Sequence, residues 1–153
     1  MVAAAARSAD HAALRPWRLI ELRGDARGRF GAALVAASAC TGADADRLAL
    51  KPLRAPLLIA VVACRRPDTP VRVWEQDAAA AGVAHILSLV LAEAGWGVMW
   101  RSGPHTRADE IRQAHGLSDS EVLLGWLYVG GIPIDAKPAT RTAIEPEDYL
   151  SVL

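Results

Sequence analysis

The chain has little of what usually announces a reaction. Two cysteines, Cys40 and Cys64, are too few and too apolar in setting for a disulfide framework, and neither sits near a second ligand at metal-binding spacing. Two lysines, Lys51 and Lys137, stand among 17 basic residues, the rest arginine, and 17 acidic residues leave no net charge. Such a balance excludes a broad footprint for nucleic acid or an anionic membrane, so an anion would be bound locally. The longest uncharged apolar run, residues 78–92, falls short of the ~20 residues that span a bilayer. The opening MVAAAARSADH lacks the basic-then-apolar layout of a signal peptide, which points to a reducing cytoplasm.

Motifs of side-chain catalysis are missing as well. His11, His85, His105 and His115 show no metal spacing, and there is neither a P-loop nor a Gly-x-Ser-x-Gly elbow. The glycines of GWGVMW, residues 95–100, follow a helical pattern and open a strand, the reverse of a dinucleotide fingerprint. His85 reads as a core or interface histidine, and Glu145 and Glu147 as solvated charge. What remains is a class in which an organic cofactor carries the chemistry and the protein supplies shape, backbone donors and a few cations.

Periodicity then predicts the fold. Met1 to Ala6 reads as the tail of a helix, and RSADHAALRPW as a loop in which Pro16 biases Arg15 toward extended geometry. WRLIEL is an expected strand, DARGRFGAALVAASA a helix, and a short helix runs to about Leu50. LLIAVVAC, eight apolar residues rich in β-branched types, is the central-strand candidate. A long helix from Trp74 to Gly95 is apolar on all sides, which places it in a core or an interface. Trp96 to Arg101 is a short strand, Thr106 and Asp109 resemble a capping box for a helix ending at His115, and EVLLGWLYVGG is another strand. The tail IEPEDYLSVL reads as an extended arm ending in apolar residues. The alternation implies an α+β or α/β layered domain covering residues 1–153.

Three segments together resemble the flavin mononucleotide-dependent nitroreductases, in their short bacterial single-domain branch. They are RSADHAALRPW, RAPLLIAVVAC followed by WEQDAAAAGVAHILSLVLAEAGWGVMWRSG, and LLGWLYVGGIP. The resemblance implies a mostly antiparallel sheet flanked by helices and an intertwined homodimer with flavin sites at the subunit interface. It also implies FMN as cofactor, NADH or NADPH as reductant, and a nitroaromatic, quinone or similar small-molecule acceptor reduced by a ping-pong hydride mechanism. No side chain is implied as a catalytic base. Arg7 and His11 fall where the family contacts the flavin phosphate and ribityl chain, and Trp100, Arg101 and Ser102 where it lines the cofactor from the other side. Taken alone, Trp100 reads as core packing and Arg101 as a surface charge. The segment Val90, Leu91, Ala92, Glu93, Ala94 and Gly95 corresponds to the family's nicotinamide contact.

The chain also departs from the family. It begins inside what resembles the second helix, without the amino-terminal helix whose Arg-Arg-Ser grips the flavin phosphate, so weaker flavin binding and an uncovered apolar groove are expected. Ala9 stands where the family commonly has proline, and Arg15 where it has glutamine. Arg15, Lys137 or Arg141 are candidate replacements for the missing clamp. The rivals to an enzyme are a flavin-binding or regulatory protein without turnover on the same scaffold, and a purely structural dimerisation module.

Overall fold

The computed structural model describes residues 1–136 and 142–152. Among them, four strands form one antiparallel sheet in the order β1-β2-β4-β3: β1 (Trp17–Leu22), β2 (Leu57–Cys64), β3 (Trp96–Arg101) and β4 (Glu121–Gly131). β2 and β4 are the inner strands. Helices cover both faces of the sheet, which is why LLIAVVAC is apolar without alternation.

On one face lie α2 (Asp25–Ser38), α3 (Gly42–Ala49) and α5 (Asp109–Ala114), enclosing Phe30, Leu34, Leu58, Ile111, Leu123 and Trp126. On the other lie α1 (Val2–Ala5) and α4 (Val73–Glu93), enclosing Val61, Val83, Leu87, Leu127 and Val129. Burying an aliphatic side chain of this size contributes about 1.5–3 kcal/mol, so the two clusters hold the layers together. α4 needs both kinds of surface. Val83, Ala84 and Leu87 are buried, whereas Trp74 is 71% and Leu89 69% exposed, so its second apolar side faces out of the chain. Among the described residues no helix is long and apolar enough to cross a membrane.

The β2–β4 ladder slips between Val61 and Val62, whose partners are Gly125 and Leu123, leaving Leu124 as the extra residue of a bulge. Gly125 has φ 149°, and a Cβ there would collide with the Arg101 carbonyl oxygen and Trp100 Nε1. Only glycine lets the end of β3 lie this close to β4.

Three local expectations are corrected. Arg15 is not extended but has φ 49°, because its N–H is donated to Asp10 Oδ2 (2.7 Å) and its carbonyl accepts the Trp17 N–H (2.8 Å). The Thr106–Asp109 capping box does not form. α5 starts after Ala108 without a side-chain cap, and Thr106 Oγ1 donates to the Gly103 carbonyl (2.8 Å) in a 3-10 turn at Pro104–Arg107. A glutamate contact of that kind opens α4 instead, where Glu75 Oε2 accepts the Arg72 N–H (2.9 Å). Third, of the core and interface readings of His85 the core one fails, since the residue is exposed in this chain, its ring 4.9 Å from that of Trp100.

The loop RRPDTPVRV is anchored by Gln76, which is 1% exposed, accepts the Arg66 N–H (2.8 Å) and donates to the Arg66 and Val71 carbonyls. The tail has one 3-10 turn, Pro146–Asp148, and leaves Ile144, Tyr149, Leu150 and Val152 exposed.

Candidate active site

A cleft of ≈ 710 Å³ opens on the α2/α3 side of the sheet, within the range of about 300–1,000 Å³ usual for small-molecule sites. The strand pleat lays its floor. Arg101, Met99 and Gly97 of β3 pair with Trp126, Tyr128 and Gly130 of β4, and all six line the cleft. Leu34 of α2 and Leu48 of α3 form an apolar wall. Opposite walls come from a 3-10 turn at Lys51–Arg54 and from Ser102 and His105 after β3.

Two arginines outside the cleft pin these rims. Arg27 Nη1 donates to the Ala55 carbonyl (2.7 Å), tying the Lys51–Arg54 turn to α2, and Arg107 Nη1 donates to the Leu123 carbonyl, tying the other turn to β4. The cleft itself is cationic. Lys51, Arg54 and Arg101 line it, and no carboxylate stands among its described lining residues. Burial pushes the Tyr128 phenol up, while the charges of Arg101 and Arg54 pull it back.

Beneath the floor, Trp126 Nε1 donates to His115 Nε2 (2.9 Å), and His115 Nδ1 donates to the Ile111 carbonyl (2.8 Å). Phe30 stacks on Trp126 at 4.7 Å and meets His115 edge-on at 5.1 Å. Burial pushes the His115 pKa below its ordinary value, which keeps the ring neutral.

The residues singled out in the sequence divide between the two faces. Arg101 and Ser102 line the cleft. Trp100, next along the strand, points the other way into the α4 layer, and its Nε1 is buried without a partner against Gly125. Arg7 is exposed on a segment that runs along α4, where Ser8 packs so closely on Gly82 that a Cβ there would collide. His11 Nδ1 lies 2.9 Å from Glu75 Oε1 at the start of α4, and this contact holds the Glu75 carboxyl below its ordinary value. Arg7, His11 and Trp100 are thus on the α4 side and not in the cleft lining.

The Val90–Gly95 segment also divides. Leu91 is buried in the core, Gly95 turns the chain with φ 83°, and Val90, Ala92, Glu93 and Ala94 line a separate shallow depression of ≈ 680 Å³ together with Met1 and Leu89. Arg15 is exposed and is not a lining residue of the cleft; Lys137 and Arg141 lie outside the described residues. Sequence reasoning missed Lys51, Arg54, Trp126 and Tyr128. The available signal was a rare lysine followed by Arg54 just ahead of the central strand, and it becomes a site only when the fold sets that turn against β3 and β4. Among the described residues no group of His, Cys, Asp or Glu is placed to hold a metal ion.

The model of the family described as "Nitroreductase family" matches residues 1–131. This chain belongs to the nitroreductase family. As a nitroreductase-family member it is an oxidoreductase by class. It is 33% identical over 127 residues to the Escherichia coli K12 protein named "Putative NAD(P)H nitroreductase YdjA", covering 81% of this chain and 69% of that one. Among solved structures, a nitroreductase-like family protein from Bacillus cereus superposes with TM-score 0.81 at 20% identity, covering 99% of this chain and 81% of that one. A point mutant of an FMN and NADPH-dependent nitroreductase, NfnB, from Sphigopyxis sp. strain HMH gives TM-score 0.77 at 14% identity, covering 99% and 85%. At these identities the two structures establish a shared nitroreductase fold.

Proposed function

We propose that this chain is an FMN-dependent oxidoreductase that takes hydride equivalents from NADH or NADPH and delivers them, in a ping-pong cycle, to a nitroaromatic, quinone or similar acceptor. The observation that carries the proposal is the cleft at the end of β3, with three cations, no carboxylate among its described lining residues and a floor of glycine backbone and aromatic rings. This donor set fits the cofactor. Lys51, Arg54 and Arg101 suit a phosphate or the electron-rich edge of a flavin, and Met99, Trp126 and Tyr128 offer apolar surface to a planar ring.

FMN, when bound, supplies the reversible hydride chemistry. The chain's own residues bind, orient and exclude water. Leu34, Leu48, Trp126 and Tyr128 form apolar surface around the cleft, which strengthens the field of its cations. No residue is assigned as a catalytic base. Arg7 and His11 lie across the sheet from the cleft of their own chain, so as proposed flavin contacts they serve the flavin of the other protomer in the homodimer; Trp100 packs between the α4 side and the bulge, and Val90–Gly95 remains the proposed nicotinamide segment.

A homodimer is proposed as the working form, in the cytoplasm. It is supported by apolar surface that one chain leaves exposed: Trp74 and Leu89 on α4, Trp96 and Met99 on the edge strand, and Tyr149, Leu150 and Val152 in the tail.

The test is anaerobic. Purified protein loaded with FMN is mixed with NADH or NADPH, and the yellow flavin absorbance is followed. Bleaching, then recovery on adding a quinone or nitroaromatic, is the expected result. Protein that takes up flavin but is not reduced by either nucleotide would favour the non-catalytic flavin-binding reading, and protein that takes up none would remove both.

A further inference from the structure

We propose that His115 is a positioning residue for the cleft: by accepting the Trp126 indole N–H, it fixes the aromatic floor on which a bound flavin or acceptor ring rests. The inference rests on the flavin reading of the cleft.

Trp126 sits at the meeting point of three strands. It is opposite Ala60 of β2 and Arg101 of β3, it is 4% exposed, and it lines the cleft beside Tyr128. A tryptophan here brings an N–H that must be satisfied away from water. His115 satisfies it. The histidine closes α5 and is 7% exposed; its Nδ1 proton is committed to the Ile111 carbonyl, which leaves Nε2 as a bare acceptor facing the indole. The hydrogen-bond network therefore assigns the tautomer.

Phe30 completes the clamp, stacked on the indole and edge-on to the imidazole, so that three rings from α2, α5 and β4 fix one another. Of the hydrogen-bond partners of His115 among the described residues, Trp126 is the one that lines the cleft. The effect of His115 on binding passes through Trp126, the neighbour of the cleft cation Arg101. With the acceptor removed, the buried N–H is left unpaired, and the indole gains by turning toward the cleft and its water. A floor that moves costs affinity for whatever lies on it.

The experiment uses the full chain and reads two signals. The first is the Trp126 Nε1–H resonance, assigned by its absence in Trp126→Phe and followed by proton–nitrogen NMR and hydrogen exchange. In the unsubstituted protein it is expected to be slow to exchange; rapid exchange there overturns the proposal without any histidine variant. In His115→Phe, which keeps a ring of similar shape, protection is expected to be lost.

The second signal is FMN affinity, from quenching of flavin fluorescence. His115→Phe is expected to weaken it about fivefold or more. In the double variant with Trp126→Phe the orphaned donor is gone, and affinity is expected to return to that of Trp126→Phe alone. An unchanged FMN affinity in His115→Phe, alongside lower thermal stability, would make the histidine a packing residue and overturn the proposal. Failure of the unsubstituted protein to bind FMN would overturn the cofactor reading and the binding role with it. The indole exchange would still decide whether His115 holds Trp126.

Discussion

Trp100 and Arg101 are consecutive on β3 yet serve different layers. The Trp100 ring lies 4.9 Å from that of His85 on α4, whereas Arg101 opens onto the cleft with Lys51 and Arg54. The strand pleat causes the division, since successive side chains leave a sheet on opposite faces. It makes Arg101 the residue of the pair that opens onto the cleft, and Trp100 the one that packs against α4.

If the cleft holds the proposed flavin, removing one of its cations is expected to lower cofactor affinity. Arg101→Ala and Lys51→Ala are each expected to weaken FMN binding about tenfold, the value of one partly exposed charge-assisted hydrogen bond. A titration of flavin fluorescence measures this, and an affinity indistinguishable from the parent for both variants would argue against the cleft.

Gly125→Ala tests the bulge that brings β3 onto β4. Its φ of 149° strains any side chain, and a Cβ meets the Arg101 carbonyl and the Trp100 indole. A loss of about 1–3 kcal/mol is expected from strain alone, read as a lower midpoint in urea unfolding. Parent-like stability would mean that the close approach is not maintained in solution.

Glu121 predicts acid sensitivity. Its carboxylate receives Arg18 Nε and Nη2 (2.9 Å), the Ser118 N–H (2.9 Å) and the Cys64 thiol (3.5 Å). The Arg18 hydrogen bond leads in lowering its pKa from the ordinary 4.5 to about 2. A lowered carboxyl contributes stability that is complete above 4.5 and is lost as pH falls from there through about 2. Glu121→Gln is expected to cost about 1.5–3 kcal/mol at neutral pH and to flatten this part of the stability–pH curve. Denaturant midpoints measured across that range check both effects; a Gln variant as acid-sensitive as the parent would exclude Glu121 as the source.

The same network protects a thiol. Burial, helped by the hydrogen bond to Glu121, pushes Cys64 from 9.0 up to about 11. Only the thiolate reacts, so alkylation of Cys64 at mildly alkaline pH is expected to be on the order of a hundredfold slower in the folded than in the denatured protein. Iodoacetamide labelling followed by peptide mass spectrometry measures the ratio; equal rates would mean that the thiol is not held in this network.

Much of the layered fold was legible because it follows from periodicity. LLIAVVAC had to be covered on both faces, and WRLIEL, with apolar residues at both parities, proved to be an edge strand packed on both sides. Local chemistry misled where one side chain outweighed a residue preference. Asp10 overrode the extended bias of Arg15, and Thr106 bonded backward to Gly103 instead of capping α5. The site was half legible. Of Trp100, Arg101 and Ser102, expected together on one wall, Arg101 and Ser102 line the cleft, whereas Trp100 packs in the α4 layer, because successive side chains of WGVMWR leave the sheet on opposite faces. Lys51 and Arg54 were not found, because they lie about 50 residues from Arg101 along the chain and carry no motif; only the β1-β2-β4-β3 order brings them together.

The central claim is that the cleft of Lys51, Arg54 and Arg101 holds the flavin. The most direct measurement is a crystal structure of the protein grown with FMN. The expected result is flavin density against Arg101 and Tyr128, with Lys51 or Arg54 on an anionic edge of the cofactor. Flavin bound only along α4 beside Arg7 and His11, with the cleft empty, would contradict it.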